Sequence, residues 1–188
     1  MKKHIITIAG YPGIGKSSTA KGVAQELGYE HFSSGDLMRQ MAAARGLSVE
    51  EINQAAEKQK EIDFMVDHRL QKLGEERDKL VIDSRLAFHW IPDSFKVYLD
   101  LDPQSAAERT FMHIQKEGRA SQTASSTEEV LKNTAERIAS ERKRYQILYG
   151  VDIGDKSNFD LVIDTKTNDL NQVIKIVLAE YKKWQETS

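Results

Sequence analysis

The sequence of 188 residues contains no cysteine. That absence excludes disulfide bonds, thiolate catalysis and zinc sites built on cysteine ligands. The five histidines show no H-x-x-x-H spacing, so we interpret them as surface or hydrogen-bonded residues rather than metal ligands. No apolar run approaches the length of about 18 residues that a membrane span needs, and we expect neither a span nor a signal peptide. These absences favour a cytoplasmic protein.

An excess of charge of one sign is also missing, because 27 lysines and arginines face 29 aspartates and glutamates, which gives a formal net charge of −2. No global field attracts nucleic acid or anionic lipid, so we expect neither a nucleic-acid polymer nor a membrane among the partners. Any basic site must then be local. The length favours one domain spanning 1–188, which we expect to act on small molecules as a monomer.

The most informative segment that is present is residues 10–17. It reads GYPGIGKS and fits the phosphate-loop pattern G-x-x-x-x-G-K-[ST] at every fixed position. A β-branched run precedes it at 4–9 and a helical pattern follows it at 16–27, which is the arrangement that aims backbone N–H groups at a polyphosphate. We therefore predict a site for a nucleoside triphosphate. Its binding residues are Gly10, Tyr11, Pro12, Gly13, Ile14, Gly15, Lys16, Ser17 and Ser18.

Three residues around this loop have side chains suited to phosphoryl transfer. Lys16 reaches the β- and γ-phosphates as a point charge, and the Ser17 hydroxyl can ligate Mg²⁺. Asp83 ends the apolar run 80–83. Because strand ends form the ligand crevice of a parallel sheet, we predict that Asp83 completes the Mg²⁺ shell. The alternative is an aspartate that only caps the next turn.

The alternation of short apolar runs with longer amphipathic segments predicts an α/β fold, a P-loop three-layer sandwich with a five-stranded parallel sheet. Region 34–78 is predicted to be a helical insertion that binds the acceptor, and the small polar residues of 118–126 predict a mobile lid loop. Such a lid suits an enzyme that closes over its substrates. The expected strands lie near 4–9, 30–32, 80–83, 95–99 and 160–163, and the expected helices at 16–27, 35–46, 48–57, 60–77, 103–117, 127–149 and 169–186.

The predicted helix 127–149 carries the arginine that we expect to act from the lid side. Arg142 falls at the edge of the apolar stripe of this helix, and an inward-facing charge must be paired or must face a ligand. Arg142 is therefore predicted to be catalytic. Arg137 and Arg144 lie away from the stripe, and we expect them to be solvated or paired with Glu141.

Two carboxylates one turn apart, Asp63 and Asp67, lie on the flank of the predicted helix 60–77. Paired carboxylates can accept hydrogen bonds from an amino group such as that of a nucleobase. The alternative, which spacing alone favours, is a solvated helix face.

With these residues in view, the chain resembles the P-loop nucleoside monophosphate kinases, and among them most closely the archaeal-type cytidylate kinases. The similarity covers nearly the full length. It is carried by the phosphate loop and by several further segments. These are Ser33-Ser34-Gly35-Asp36 with Arg39, Arg45-Gly46-Leu47-Ser48, Glu61-Ile62-Asp63 with Asp67-His68-Arg69, Asp83-Ser84-Arg85-Leu86-Ala87, Arg142 with Tyr145 and Tyr149-Gly150-Val151-Asp152, and Asp160-Leu161-Val162-Ile163-Asp164-Thr165.

The resemblance implies transfer of the ATP γ-phosphoryl group to CMP, with dCMP or UMP as further acceptors and Mg²⁺ as cofactor. It implies that Arg39 and Arg85 contact the acceptor's phosphate and that Arg119 and Arg142 are lid arginines. Ser34, Gly35 and Asp36 are then part of the acceptor site. Two alternatives stay open: a kinase for another small acceptor, AMP or a non-nucleotide, and a nucleotide-operated binding module without transferase activity.

Overall fold

The structure, a computed structural model, describes residues 3–117 and 124–187. Its centre is a five-stranded parallel sheet in the order β2-β3-β1-β4-β5, which confirms the predicted fold class. Adjacent strands are separated along the chain by helices, as the crossover connections of parallel strands require. The strands are β1 Ile5–Ala9, β2 Glu30–Ser33, β3 Leu80–Asp83, β4 Phe95–Asp100 and β5 Leu161–Asp164.

Helices cover both faces of the sheet, because successive side chains of each strand point to opposite sides. Ile6 and Ile8 of β1 pack in one apolar cluster, whereas Ile5 packs in another on the opposite face. The helices of the described ranges are α1 Lys16–Leu27, α2 Ser34–Ala44, α3 Val49–Lys58, α4 Lys60–Glu76, α5 Ala87–Trp90, α6 Pro103–Glu117, α7 Thr127–Tyr149 and α8 Leu170–Glu186. None of them is long and apolar enough to cross a membrane.

The region predicted as a helical insertion folds into α2, α3 and α4, between β2 and β3. Helices α2 and α3 each begin directly after a serine whose side chain caps the first turn. The Ser33 hydroxyl accepts from the backbone N–H of Asp36, and Ser48 forms a capping box with Glu51. The three helices share a small core of their own, formed by Met38, Ala42, Ile52, Ala56 and Ile62.

Two short elements have no counterpart among the predicted ones: α5 and a 3₁₀ turn at Lys156–Asn158. Both are too short to show a helical period in the sequence. The segment predicted as a lid, 118–126, lies mostly outside the described residues. Of its described part, Ser126 caps α7 by accepting from the backbone N–H of Glu129 at 3.2 Å.

Three strand ends meet at one edge of the sheet and locate the ligand crevice. Ser33 of β2 pairs in register with Asp83 of β3, and Asp83 pairs in turn with Ile8 of β1. The phosphate loop begins directly after β1. Ligands bind beyond the carboxyl ends of the strands in such sheets, so the loop, Ser33 and Asp83 all face the same crevice.

Candidate active site

The phosphate loop lies close against α6 and depends on glycine there. Gly13 has φ +82°, and a β-carbon at this position would lie 2.4 Å from Thr110 Oγ1 and 2.6 Å from the carbonyl oxygen of Ala106. Only glycine fits this close approach and this backbone angle. The loop then passes into α1, whose first residue is Lys16. A helix that begins in this way presents unpaired N–H groups and a positive dipole end to an anion.

Lys16 is a partly buried cation held within the loop. Its Nζ donates to the carbonyl oxygen of Tyr11 at 2.8 Å. Burial lowers the pKa of Lys16 to about 8, against the opposing effect of Asp83. Arg85 and Arg137 lower this pKa further, which shows that three cations share one neighbourhood. An anion such as a phosphate would relieve their mutual repulsion.

Oxygen ligands for a divalent cation stand at the floor of the crevice. The buried Asp83 carboxylate accepts a hydrogen bond from Ser17 Oγ, and Ser33 Oγ donates to the same carboxylate at 3.3 Å. A hydroxyl and a carboxylate are the hard oxygen donors that Mg²⁺ prefers, so the set fits this ion. Across the described ranges, no cluster of three or more His, Cys, Asp or Glu residues forms an all-protein metal cage.

Two arginines converge on one buried carboxylate beside the loop. Arg85 Nε lies 2.6 Å from Glu141 Oε2, and Arg85 Nη2 donates to Oε1 at 2.9 Å. Arg137 Nε donates to the same Oε1 at 3.0 Å. The Oε2 contact is an ion pair without hydrogen-bond geometry. Burial opposes ionisation of Glu141, but Arg85 and Arg137 outweigh it, so the pKa of Glu141 is lowered.

The inward orientation predicted for Arg142 is wrong. Its side chain is 48% exposed and pairs with Asp152 through Nε to Oδ1 at 3.0 Å and Nη2 to Oδ2 at 2.6 Å. Arg144, expected to be solvated or paired with Glu141, is instead buried, with a side chain 9% exposed that binds Asp63. Of the predicted apolar stripe, only Tyr145 and Tyr149 pack against an apolar cluster, whereas Glu141 and Arg144 are buried and line the crevice. Hydrophobic periodicity therefore does not reveal which side of α7 faces the crevice.

Asp63 and Asp67 are both buried, so the solvated helix face does not occur. Asp63 receives Arg144 Nε at 2.9 Å on Oδ2 and Arg144 Nη2 at 3.3 Å on Oδ1. Asp67 Oδ2 accepts from the Tyr149 hydroxyl. Burial raises the pKa of Asp67 to about 6, although Tyr149 and Trp90 act against the shift. A buried carboxylate with a raised pKa that lines a cavity is typical of a functional site.

The start of the insertion contributes a smaller polar group. Arg39 pairs with Asp36, one turn earlier on α2, and about half of the Arg39 side chain remains exposed. The Ser34 hydroxyl donates to the carbonyl oxygen of Asp83 at 3.3 Å. Gly35 lies against the Arg39 guanidinium group, because a β-carbon added at Gly35 would be 3.6 Å from Arg39 Nη1. These contacts tie the first turn of α2 to the strand end that carries Asp83.

These groups line one cavity of about 910 Å³ between the phosphate loop, the insertion and α7. Its volume is at the upper end of the range for small-molecule pockets, about 300–1,000 Å³. Lys16, Arg85 and Arg137 lie along it, and Asp63 and Asp67 lie on its insertion side. The cavity therefore joins a phosphate-binding region to a polar pocket with acceptor groups.

Known proteins with similar sequences identify the family. A family model described as an AAA domain matches residues 9–132. A cytidylate kinase of Halorubrum lacusprofundi is 36% identical over 177 residues, which cover 93% of this chain and 88% of that protein. A cytidylate kinase of Pyrococcus abyssi is 37% identical over 176 residues, covering 93% and 92%. The chain belongs to the P-loop nucleoside monophosphate kinases.

A further relative matches this chain over only part of its own length. An S-adenosylmethionine-dependent nucleotide dehydratase of Lacinutrix mariniflava is 34% identical over 182 residues, which cover 96% of this chain but 36% of that protein. Among solved structures, a gluconokinase from Sinorhizobium meliloti has a TM-score of 0.62 at 15% identity. The match covers 99% of the present chain and 95% of the gluconokinase. A shikimate kinase from Acinetobacter baumannii has a TM-score of 0.59 at 17% identity, covering 96% and 94%. These likenesses establish the fold.

The structure brings most of the predicted site residues of the kinase to the cavity, but not all. The residues that line it are Pro12, Gly13, Gly15, Lys16, Ser17, Ser18, Ser34, Gly35, Arg39, Asp63, Asp67, Asp83 and Arg85. Gly10, Tyr11, Ile14, Asp36 and Arg142 lie off it, although the Tyr11 carbonyl and Asp36 contact residues that line it. Arg119 falls outside the described residues.

Three residues of α7 that sequence reasoning set aside do line the cavity of the kinase: Arg137, Glu141 and Arg144. One signal in the sequence could have found them. They recur at intervals of four and three residues, so they share one helix face. The expected pairing of Arg137 with Glu141 is confirmed, but a face of alternating charge is usually solvated, so spacing alone does not reveal that this face lines the cavity.

Proposed function

We propose that this kinase transfers the γ-phosphoryl group of ATP to CMP, giving ADP and CDP, with dCMP and UMP as alternative acceptors. One observation carries the proposal: a single cavity has phosphate-binding cations at the loop end and a buried acceptor carboxylate at the insertion end. The terminal phosphorus would leave the β-phosphate's bridging oxygen and bond to an oxygen of the acceptor's phosphate. No side chain need act as nucleophile, because alignment and charge stabilisation suffice.

The donor end would hold ATP with Mg²⁺. Backbone N–H groups of the loop would bind phosphate oxygens, and Lys16 would exchange the Tyr11 carbonyl for the β- and γ-phosphates. Ser17 and Asp83 would hold Mg²⁺, which neutralises charge on the transferring group. The hydrogen bond between these two side chains places their oxygens side by side, as shared ligation of one ion requires.

The acceptor's phosphate would bind between the insertion and β3. Arg39 and Arg85 are the proposed contacts, because they reach the cavity from two separate elements. The backbone and hydroxyl groups of Ser34, Gly35 and Asp36 would support them at the start of α2. A second phosphate site of this kind argues against a module that uses ATP only as a switch.

The base would lie against Asp67. Cytosine presents an exocyclic amino group, whereas uracil presents a carbonyl oxygen at the corresponding position. Asp63 is engaged by Arg144, so Asp67 is the carboxylate with acceptor capacity left for that amino group. The names of the archaeal relatives support the same base. From the lid, Arg119 stays a proposed cation on the transferred group.

Label transfer from ATP tests the proposal. With γ-labelled ATP, Mg²⁺ and CMP, we expect the label in CDP at a rate that depends on CMP. ADP formation that does not depend on any added monophosphate would support the switch module instead. Transfer to AMP or to a non-nucleotide, but not to CMP, would support the alternative kinase.

A further inference from the structure

We propose that Glu141 is a positioning residue for phosphoryl transfer, which acts through Arg85 and Arg137 and fixes both guanidinium groups beside Lys16. The inference rests on the proposed function and adds a residue to it. Glu141 itself is an anion in a site built for anions, so direct contact with phosphate is excluded by repulsion. Its effect must pass through the arginines that it binds.

The contacts show how one carboxylate sets two guanidinium orientations. Glu141 is held on α7 with a side chain only 3% exposed, so its position is fixed by packing. It engages Nε and Nη2 of Arg85, and Nε alone of Arg137. For Arg85, one hydrogen bond and one ion pair hold the same edge of the guanidinium group against the carboxylate, and for Arg137 one hydrogen bond holds Nε. Within residues 3–117 and 124–187, neither Nη1 of Arg85 nor either Nη group of Arg137 makes a hydrogen bond, and we infer that these groups bind phosphate oxygens.

Charge explains why a carboxylate is needed at this point. Burial lowers the pKa of Arg137, and Arg85 lowers it further, because two guanidinium groups bound to one carboxylate repel each other. Glu141 offsets this repulsion but cannot cancel it, because Lys16 adds a third cation nearby. The cluster therefore keeps a positive excess for phosphate while its members stay in place. Electrostatic catalysis needs such preorganised charge, which costs no rearrangement during reaction.

The arrangement also joins two parts of the fold that would bind different substrates. Arg85 leaves the end of β3 and is the proposed contact to the acceptor, whereas Arg137 and Glu141 belong to α7. The Glu141 carboxylate thereby links α7 to Arg85, the arginine proposed to bind the acceptor's phosphate. If Glu141 were only a structural pair, its loss would lower stability and binding together. If it were a competitor for the arginines, its loss would speed the reaction.

The test is Glu141→Gln, which keeps the size of the side chain and removes the charge, with Glu180→Gln as the matched control on the exposed surface of α8. We expect kcat with CMP to fall about 100-fold, as for misplaced catalytic groups. We expect the variant to bind pyrophosphate as tightly as wild type does or more tightly, as measured by calorimetry. The reason is that the negative charge of Glu141 no longer opposes the attraction between pyrophosphate and the nearby cations. The control should match wild type in both measurements.

Two outcomes of this experiment would overturn the inference. One is a kcat within about threefold of wild type, and the other is a parallel loss of kcat and pyrophosphate binding. If Glu141→Gln does not fold, Glu141→Asp keeps the charge but cannot reach both arginines, and its kcat should also fall with pyrophosphate binding retained; retained kcat contradicts the inference. Wild-type protein that transfers to no monophosphate refutes the proposed function, independently of how the variants compare in pyrophosphate binding.

A double-mutant cycle tests the route of action. We expect Glu141→Gln to cost much less in kcat when Arg137→Gln is already present, because residues that act as a unit are non-additive. Full additivity would mean that Glu141 does not act through Arg137, which contradicts the inference.

Discussion

Lys16 is the cation that the phosphate loop supplies at the start of α1, and its partly buried ammonium group binds the Tyr11 carbonyl rather than packing in an apolar cluster. We predict that Lys16→Ala lowers kcat about 1,000-fold and leaves the melting temperature near that of wild type, because charge stabilisation is lost without a cavity. Steady-state kinetics and thermal unfolding measure the two effects. Lys21→Ala, on the exposed side of α1, is the control and should behave as wild type. Activity of Lys16→Ala within about tenfold of wild type would contradict the assignment.

Asp67 should make the stability of the protein depend on pH in a defined direction. Its pKa in the folded state is about 6, above the ordinary 3.8, so the folded state binds more protons between these values. The contribution of Asp67 to the free energy of unfolding is fully present below pH 3.8 and is lost as the pH rises through about 6. Two pKa units correspond to roughly 3 kcal/mol.

We predict that Asp67→Asn is more stable than wild type at about pH 8 and similar near pH 4, because the amide avoids the cost of a buried charge. The same variant should lose preference for CMP over UMP, since the amide can donate to a carbonyl oxygen. Urea unfolding at both pH values and kcat/KM for the two acceptors measure these effects. Equal stability increments at both pH values would show that ionisation of Asp67 is not the cause.

At the scale of the element, α7 carries two arginines with opposite environments, two residues apart. We predict that Arg144→Ala destabilises the protein by roughly 3–5 kcal/mol, because it leaves the buried Asp63 carboxylate unpaired. Arg142→Ala, which breaks an exposed pair with Asp152, should cost less than about 1 kcal/mol. Denaturant unfolding of both variants makes the comparison. A larger loss for Arg142→Ala would mean that the buried and exposed sides of α7 are assigned wrongly.

The elements themselves follow from local sequence patterns, and most could be predicted. The loop, the strand ends and the capping serines Ser48 and Ser126 mark boundaries through local chemistry, so α7 begins and ends where expected. The failure concerns which side of α7 faces the crevice. Apolar spacing identifies a side that packs on a core, whereas a cavity-facing side is recognised only by its partners on other elements.

The residues of the candidate site also divide into those that the sequence could predict and those that it could not. Lys16, Ser17 and Asp83 could be predicted because a contiguous motif and a strand end place them. Glu141 could not, because its role depends on Arg85, which lies 56 positions away in the chain. Its spacing from Arg137 and Arg144 places the three on one helix face, but such a charged face is usually solvated, so the spacing does not mark this glutamate as buried.

At the scale of the whole molecule, α7 contacts both ends of the cavity through Arg137 and Arg144. We predict that a bisubstrate analogue joining ATP to CMP protects the backbone amides of α7 from hydrogen exchange more than ATP or CMP alone does. Occupation of both ends would hold this helix against the loop and the insertion together. Helix α8, which packs on the sheet away from the cavity, is the internal control. Equal protection by CMP alone would mean that α7 responds to one substrate only.

If the kinase phosphorylates a nucleoside monophosphate that it selects by its base, one rate must depend on which monophosphate is supplied. It is the rate of ADP release from ATP and Mg²⁺ with CMP, dCMP, UMP, AMP and GMP supplied in turn. We predict that kcat/KM for CMP exceeds that for UMP by about tenfold or more, because a carboxylate that accepts from the amino group of cytosine is left unsatisfied by the carbonyl oxygen that uracil presents there. Equal rates with all five, or a preference for a purine, would contradict it.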